Sequence, residues 1–426
     1  MKKKLLSLLL AGVLLVSMSG CGSDSGENEA SKSGGEITLE FWNPFTGSDG
    51  TIMNELVENF NAEHEGEITV NVQTMESGDY YAKIPTVFSS GTDIPDVVIL
   101  HVERLPYYSQ KGMIEPMDED IESMGLAKED FISATWDAGV MEDGQRYSLP
   151  LDTHMWELYY NQDILTELGY SEADLDGMTK EKFMEICKAA VDKGYVGCGL
   201  YWPGINSLFY GLLNQFGGSY ADPADPETPL FNSEAGIQAA EFIKEMQDAG
   251  LTNEVGSDQE SLFKAGTELF CSTGIWSNTG FGEIDGLNYG QMFFPEIGEK
   301  PGNMANSHNL AIMKQPEADE AQHEACVEFI KYLSDNSVKW AAAGQVPARL
   351  DALESEEFAE LPWAFAADNL DAFSFLPACV TASDMDGAVS EHLQKYYNGE
   401  YSSAEEALAS AEKQAAQLAK ETVDSL

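Results

Sequence analysis

The sequence predicts an α/β fold built on open, mainly parallel sheets. Three observations predict it. Strand and helix patterns alternate as strand–helix–strand–helix–strand between residues 36 and 100, which is the order of a parallel sheet with crossover helices. A second alternating set runs from Met155 to Trp202. Strongly periodic helix patterns then recur at 233–249, 317–333 and 402–422.

The first five elements follow from apolar spacing. Strands are predicted at 36–42, 67–74 and 95–100, and helices at 49–64 and 80–89. The run 95–100 is short and continuously apolar, as expected of a buried parallel strand. Ligands of open α/β sheets bind beyond the carboxyl ends of the strands. This rule directs attention to Trp42, Asn43 and the residues that follow Leu100.

The later elements alternate in the same way. A hairpin is predicted at 139–150 around Asp143-Gly144, which is a favourable turn pair. Strands are predicted at 155–160 and 199–202, and helices at 161–168 and 179–193. A further helix begins near Asn206 and ends at Gly217-Gly218, and the prolines between 223 and 229 indicate a surface loop. The segment 262–276 has the pattern of a helix end, a turn and a strand.

The N-terminus has the pattern of an export signal. Lys2–Lys4 precede a short apolar run and small residues, and the run is too short to cross a bilayer. Met18-Ser19-Gly20-Cys21 resembles the lipobox of bacterial lipoproteins, which implies cleavage of residues 1–20 and lipidation of Cys21. Residues 21–35 lack bulky apolar side chains and are expected to be a flexible linker. The alternative is an ordinary secretory signal whose cleavage site contains a cysteine.

Composition excludes several classes of partner. The chain has 73 acidic and 23 basic residues and a formal charge of −50, which argues against a nucleic-acid partner. The same charge argues against capture of an anionic ligand by long-range steering, and most of the acids are expected on solvated faces.

The cysteines do not indicate a disulfide framework or a zinc site. Besides Cys21 there are five cysteines, and none of them has CxxC spacing. We expect no cofactor and no metal.

Six short motifs together resemble a known family. They are Gly91–Val98; Tyr147–Asp152 followed by Leu158–Asp163; Phe231-Asn232-Ser233 leading a helix; Phe263–Gly266 running to Gly274-Ile275-Trp276; Glu328–Leu333; and Gly344–Arg349. In this order they resemble the extracellular solute-binding proteins of bacterial ABC importers, in the sugar-binding group that includes maltose-binding protein. The resemblance covers nearly the whole chain after the signal.

The resemblance implies two doubly wound α/β domains joined by a three-segment hinge, with the ligand in the cleft between them. The chain is then expected to cross between domains near 150–153, 304–310 and 343–349. The N-terminal lobe comprises 36–150 with 308–345, and the C-terminal lobe comprises 154–305 with 348–426. Such proteins close around the ligand by a hinge motion.

The resemblance also implies a function. We expect a monomeric, non-enzymatic protein that binds a carbohydrate, an oligosaccharide, and delivers it to the transmembrane subunits of an ABC permease. A lipid on Cys21 is expected to be its only contact with the membrane. The protein is expected on the outer face of the cell membrane of a Gram-positive bacterium.

A sugar needs flat aromatic surfaces and polar groups that replace water at its hydroxyls, since an unmade hydrogen bond costs about 1–3 kcal/mol. Trp276 matches a ligand-stacking position of the family and lies in a glycine-flanked loop. Trp42 and Trp202 are expected at strand ends, and packing in the core is the alternative for all three. The remaining tryptophans are interpreted as structural or undetermined: Trp136, Trp156, Trp340 and Trp363.

The polar candidates follow strands or lie at the expected crossings. Glu103 best matches a carboxylate that the family places after the third strand, and His154 stands where maltose-binding protein has an acid. Asp49 has helix capping as the stronger alternative, and Arg349 either grips hydroxyls or braces the hinge. The full set is Asp49, His101, Glu103, Asp152, His154, Asn306, His308 and Arg349.

Other classes of function stay open. A secreted glycosidase would need two carboxylates, but 73 acids make any such pair uninformative. A polyamine in the same fold suits the acidity. Ferric iron on adjacent tyrosines is disfavoured because neighbouring residues of a strand or helix face different ways. A peptide ligand is usually bound by a longer chain.

Overall fold

The structure is a computed structural model that describes residues 35–317 and 319–426. The predicted signal peptide, Cys21 and all of the linker except Gly35 lie outside the described residues. Residues Glu36–Leu426 form one compact unit. No helix in the described ranges is long and apolar enough to cross a membrane.

The described part contains twelve strands. They are β1 (Ile37–Asn43), β2 (Ile68–Thr74), β3 (Val97–His101), β4 (Leu149–Pro150), β5 (Asp152–Asn161), β6 (Val196–Gly199), β7 (Glu268–Gly274), β8 (Tyr289–Met292), β9 (Asn303–Asn306), β10 (His308–Ile312), β11 (Val346–Pro347) and β12 (Phe373–Phe375).

Seventeen α-helices occur over the same ranges. They are α1 (Ser48–Glu63), α2 (Ser77–Ser90), α3 (Leu105–Gln110), α4 (Asp118–Ser123), α5 (Ser133–Ala138), α6 (Gln162–Glu167), α7 (Lys180–Asp192), α8 (Ile205–Gln215), α9 (Glu234–Asp248), α10 (Gln259–Lys264), α11 (Ser277–Gly282), α12 (Glu320–Asp335), α13 (Ser337–Ala341), α14 (Leu350–Leu353), α15 (Glu356–Ala359), α16 (Ala382–Tyr397) and α17 (Ala404–Ser425). Shorter 3-10 turns include Val102–Arg104 and Trp202–Gly204.

The first lobe is built on a five-stranded sheet in the order β2-β1-β3-β10-β4. Strand β1 is parallel to β2 and β3, whereas β10 is antiparallel to β3 and β4. Alternation along the strands divides its core. Phe41 and Ile99 pack with α1 and α12 on one face, and Trp42 and Leu100 pack with Tyr80 of α2 on the other. Helices on both faces make this the predicted doubly wound arrangement.

The second lobe is built on the order β12-β9-β5-β7-β6, with β8 and β11 also paired to β5. Strand β5 is antiparallel to β7, and β7 is parallel to β6. Its core joins the sheet to α7, α8, α9, α16 and α17. The amphipathic helices begin at side-chain caps, such as Thr179 before α7 and Ser233 before α9.

The chain passes between the two sheets at three places. Pro150 to Asp152 joins β4 to β5, and Asn306 to His308 joins β9 to β10. At the third, β11 pairs with β5 and the Ala348 N–H donates to the Leu151 carbonyl. The predicted fold class, two α/β lobes joined by three segments, is therefore confirmed. The boundaries of the two lobes stay a prediction.

Most predicted elements of the first 275 residues occur within a few residues of their predicted positions. The bounds of the strand predicted at 199–202 are wrong: β6 runs from Val196 to Gly199, and Trp202 begins a 3-10 turn. Pro203 has no N–H for the ladder, which favours this early end. The strands that complete both sheets, β8 to β12, are not predicted from the sequence because each is two to five residues long.

The five cysteines of the described part are free and buried, and each packs as a small hydrophobic side chain. Cys326 lies in the first lobe, and Cys187, Cys198 and Cys271 lie in the second. Burial raises the pKa of all five thiols, including Cys379. They are therefore protonated at neutral pH.

Candidate functional site

Three aromatic side chains lie at one edge of the second sheet. Because β5 is antiparallel to β7 and β7 is parallel to β6, the start of β5 and the ends of β6 and β7 share that edge. Trp156 lies near the start of β5, Tyr201 follows β6 and Trp276 follows β7. The carboxyl ends of parallel strands are where α/β sheets bind ligands.

These three side chains form a continuous aromatic surface. The Trp156 and Trp276 rings are 5.5 Å apart in an edge-to-face arrangement, and the Trp156 and Tyr201 rings are 5.9 Å apart. Trp276 is 39% exposed and Tyr201 is 40% exposed. They are the two aromatic residues among the large hydrophobic side chains that stand exposed in the described part. Because exposed aromatic surface is unusual on a folded protein, this edge is the candidate ligand site.

Two glycines determine the position of Trp276. A Cβ on Gly274 would lie 2.2 Å from the indole, so the ring occupies the space that the missing side chain leaves. Gly344, in the third crossing segment, has φ +88° and passes close to the Trp276 backbone. Its left-handed conformation favours glycine. The indole therefore lies over the end of β7, and the Trp276 backbone lies against the third crossing segment.

Beside the aromatic surface lies a cluster of three histidines. The antiparallel register of β10 and β3 places His308 directly opposite His101. His154, from the start of β5, stacks on His308 with ring centroids 4.2 Å apart, and the ring of His101 lies 5.3 Å from that of His154. The Trp276 ring lies 5.9 Å from that of His154. The structure thus joins residues from both lobes in one site.

Asp152 lies behind the histidines and is fully buried. Its carboxylate contacts His154 Nδ1 at 3.2 Å and His308 Nδ1 at 2.8 Å, and it accepts from the Trp340 indole N–H at 2.6 Å. The His308 backbone N–H donates to it as well. Burial raises the pKa of Asp152, but His308 and His154 outweigh burial and hold the pKa below its usual range. The carboxylate is therefore ionised.

Burial has the opposite effect on two of the histidines. It lowers the pKa of His101 well below its ordinary value, and the neighbouring His308 and His154 lower it further. Burial and His308 also lower the pKa of His154. Both rings are therefore neutral at physiological pH, with one nitrogen donating and the other accepting.

The rim of the site is polar. Asn306, the register partner of His154, donates to Glu103 at 2.8 Å, and Arg104 contacts the same carboxylate at 3.3 Å. From the second lobe, Asp386 accepts from Asn206 at 2.8 Å. Helix α16, which carries Asp386, contacts the 3-10 turn Val102–Arg104 of the first lobe. Burial raises the pKa of Asp386, and Glu103 raises it further.

Two predicted stacking residues are not at this site. Trp42 is 4% exposed and packs in the core of the first lobe, because its position on β1 faces α2. Trp202 is 3% exposed, donates to the Asn253 carbonyl at 3.3 Å and packs on Tyr397. The prediction that either one offers a face to a ligand is corrected accordingly. For both, the alternative of core packing describes the structure.

Two predicted polar ligands have structural partners instead. The Asp49 carboxylate accepts from the N–H groups of Gly47 and Gly50 within the first turn of α1, and Gly47, not Asp49, is the N-cap of that helix. Arg349 is 12% exposed in its side chain and pairs with Asp335 at 3.4 Å and Asp351 at 2.5 Å. It therefore braces the third crossing against the end of α12.

Two members of the aromatic surface were missed as ligand candidates. Trp156 is among the tryptophans interpreted from the sequence as structural or undetermined, and Tyr201 is not among the sequence-based candidates. The alternation within β5 places Trp156 and His154 on the same side of the strand, and this spacing was the available signal. Tyr201 follows a strand end directly, as Trp276 does.

A groove of about 630 Å³ lies elsewhere, in the first lobe, beside Ile312, Met313 and Cys326. Its described lining contains no tryptophan, tyrosine or phenylalanine and has an acidic rim. It offers no face for stacking, so we do not assign the ligand to it.

Comparison with known proteins identifies the family. Residues 55–366 match the family described as bacterial extracellular solute-binding protein. The chain belongs to this family. Its members are solute-binding proteins of the cell exterior, which agrees with the two-lobed fold.

Individual relatives of the solute-binding chain are distant. It is 24% identical over 372 residues to the galactooligosaccharide-binding protein of Bacillus subtilis, covering 82% of this chain and 81% of that one. It is 30% identical to the lactose-binding protein of Rhizobium radiobacter over only 36% of this chain and 35% of that protein. A solved relative of its fold is the GacH receptor of Streptomyces glaucescens, with a TM-score of 0.77, 18% identity and coverage of 91% and 99%.

Proposed function

We propose that this solute-binding protein captures a carbohydrate between its lobes, with an oligosaccharide as the ligand. The observation that carries the proposal is the exposed aromatic surface of Trp156, Tyr201 and Trp276 beside a cluster of polar side chains. A sugar ring presents an apolar C–H face for stacking and hydroxyls at its rim. The relatives named for galactooligosaccharide and lactose support this class of ligand.

The polar groups of the site suit the hydroxyls of a sugar. Imidazole nitrogens of His101, His154 and His308 offer both donors and acceptors, and Glu103 and Asp386 offer acceptors from opposite lobes. A ligand that contacts both lobes favours the closed form over the open one, and that difference in affinity drives closure. We propose lobes of 36–150 with 308–345 and 154–305 with 348–426.

Delivery to an ABC permease and anchoring through Cys21 complete the proposal. The lipobox-like ending Met18–Cys21 supports the anchor, and the family supports export and a transport role. In the host, we expect the chain in the membrane fraction and the Cys21→Ser chain in the medium or the soluble fraction. A Cys21→Ser chain that stays with the membrane would contradict the lipid anchor without touching the ligand proposal.

The ligand is tested by calorimetric titration of the full chain with mono- and oligosaccharides, spermidine and ferric citrate. We expect binding of one sugar class. Trp276→Ala should weaken it at least tenfold, or about 1.4 kcal/mol, because a central stacking face is lost. Tyr195→Ala is the matched control, since Tyr195 is partly exposed and precedes β6 at the opposite end of that strand from Tyr201.

The outcomes separate the alternatives. Sugar binding that Trp276→Ala weakens and Tyr195→Ala leaves unchanged supports both ligand class and site. Binding of spermidine without any sugar would keep the fold and overturn the carbohydrate proposal. Release of hydrolysed product from an oligosaccharide would contradict a non-enzymatic role.

A further inference from the structure

The three histidines of the site are arranged in a way that sugar binding alone does not require. One ring nitrogen from each of His101, His154 and His308 lies within 4.8 Å of the others. The side chains come from β3, β5 and β10, so they belong to three separate segments of the chain. His154 and His308 are each 6% exposed, and His101 is half-buried.

Each of the three rings is held from behind by a polar partner. Asp152 contacts Nδ1 of both His154 and His308, and the Tyr81 hydroxyl contacts Nδ1 of His101 at 2.5 Å. The Tyr81 hydroxyl in turn accepts from the His101 backbone N–H. Among the described residues, Nε2 of each ring has no hydrogen-bond partner. The partners at Nδ1 therefore fix the rings and leave three Nε2 atoms available.

We propose that Nε2 of His101, His154 and His308 binds one divalent transition-metal ion, with zinc as the best match. Imidazole nitrogen is a preferred zinc ligand, and three histidines with an open fourth position are a common zinc arrangement. A carboxylate on the far nitrogen of a ligating histidine orients the ring and raises its basicity. Asp152 does this for two ligands at once, and Tyr81 holds the third.

The distances require a small adjustment. Zinc–nitrogen bonds of about 2.0–2.1 Å in tetrahedral geometry place two ligand nitrogens roughly 3.4 Å apart. One ring nitrogen of each histidine lies within 4.8 Å of the others, so binding requires the rings to approach one another by about 1.4 Å or less. Rotation of the imidazoles about their side-chain bonds supplies a movement of this size.

The electrostatics and the access also suit a cation. Asp152 is a buried negative charge directly behind two of the ligands, and Glu103 lies on the rim of the same site. On the open side stands Trp276, 39% exposed, beside His154. The fourth position of the metal therefore faces the cleft, where it takes a water molecule or an oxygen of the solute.

Metal binding would link the first two crossing segments of the hinge to the sheet of the first lobe. His154 follows the first crossing and His308 follows the second, while His101 lies at the end of the central strand of the first lobe. A metal bound by all three fixes these segments relative to one another. The proposal does not depend on the chemistry of the transported solute, so it stands or falls separately from carbohydrate capture.

The test is direct titration with zinc. The full chain is stripped with a chelator, dialysed and titrated with Zn²⁺ against a chromogenic competing chelator in the absence of sugar. We expect one equivalent bound, and His308→Gln should weaken that binding at least a hundredfold. His392→Gln is the matched control, because His392 is 8% exposed and is held by Tyr401 and Gln414, in the second lobe.

Two further measurements keep the proposal testable if the His308→Gln chain fails to fold. Tyr81→Phe removes only a partner of His101 and should weaken zinc binding roughly tenfold, at the lower end of the effect of losing such a partner. Co²⁺ in place of zinc should give the visible absorption of a four-coordinate site in the wild-type chain and in His392→Gln. His308→Gln should lack that absorption.

Zinc binding that His308→Gln and Tyr81→Phe weaken and His392→Gln does not would support the site. Equal zinc affinity in the wild-type and His308→Gln chains would overturn it, since the metal would then lie elsewhere. A chain that binds sugar but no zinc would also overturn it and leave the proposed function intact. Zinc binding without sugar binding would support the metal and reject the carbohydrate.

Discussion

A buried carboxyl in the second lobe makes the stability of the protein fall as the pH rises. Glu157 on β5 is fully buried, and neither of its carboxylate oxygens has a hydrogen-bond partner among the described residues. Burial raises its pKa from 4.5 to about 8. Below pH 4.5 the carboxyl is protonated in the folded and the unfolded chain alike. As the pH rises to 8, ionisation favours the unfolded chain, so stability is lost across this window.

The size of the loss follows from the two pKa values. With 4.5 in the unfolded chain and about 8 in the folded one, the destabilisation is about 3 kcal/mol at pH 7 and about 4 kcal/mol at pH 8. Glu157→Gln keeps the shape of the side chain and removes its ionisation. The variant should therefore match the wild type at pH 4.5 within about 1 kcal/mol and exceed it by roughly 3–4 kcal/mol at pH 7–8.

The assay is urea unfolding of the full chain followed by circular dichroism at pH 4.5, 7 and 8. Glu254→Gln is the control, because Glu254 is exposed and should show no such pH-dependent gain. The measured quantity is the difference in unfolding free energy between variant and wild type. A difference for Glu157→Gln that stays constant from pH 4.5 to 8 would refute the reasoning, since the carboxyl would then not be protonated by burial.

Three further substitutions separate packing from binding. Trp202→Ala should lower the free energy of unfolding by about 3–5 kcal/mol, seen as a lower urea midpoint, because a buried indole leaves a cavity. Gly274→Ala should weaken sugar binding about tenfold in calorimetry with little change in melting temperature, because the new Cβ displaces the Trp276 ring. Arg349→Gln should reduce stability by about 1–3 kcal/mol and leave sugar affinity unchanged, because it breaks ion pairs outside the site. If the Arg349→Gln chain instead binds sugar at least tenfold more weakly, Arg349 contacts the ligand hydroxyls, as the alternative expects.

The sequence predicts those features of the fold that depend on residues close together in the chain. The period-two alternation around Phe41 and the capped periodic helix after Ser233 predicted real elements, and the sequence order of motifs predicted the two-lobed fold. Histidines 101, 154 and 308 were each predicted to lie at a strand end or a crossing. Their residue types and positions were therefore available before the structure.

The contacts between those residues were not readable. The three histidines are far apart in the sequence and form no spacing motif. The sequence-based expectation of no metal therefore treated each histidine separately and did not consider a cluster of three. For Trp42 and Trp202, the sequence suggested a contact with the ligand that the structure does not contain. A strand end determines which edge of the sheet a residue approaches, but the face toward which its side chain points depends on register and on helices placed by distant parts of the chain.

The buried thiols provide internal reporters of opening. A thiol-alkylating reagent reacts with the thiolate and needs access, so none of the five cysteines of the described part should react in the native state. Cys326 then reports exposure of the first lobe, and Cys187, Cys198 and Cys271 report exposure of the second. Alkylation followed by mass spectrometry of the peptides that carry each cysteine would give the opening rate of each lobe, without any substitution in the chain. A solute that stabilises the closed form should slow both sets of reactions together.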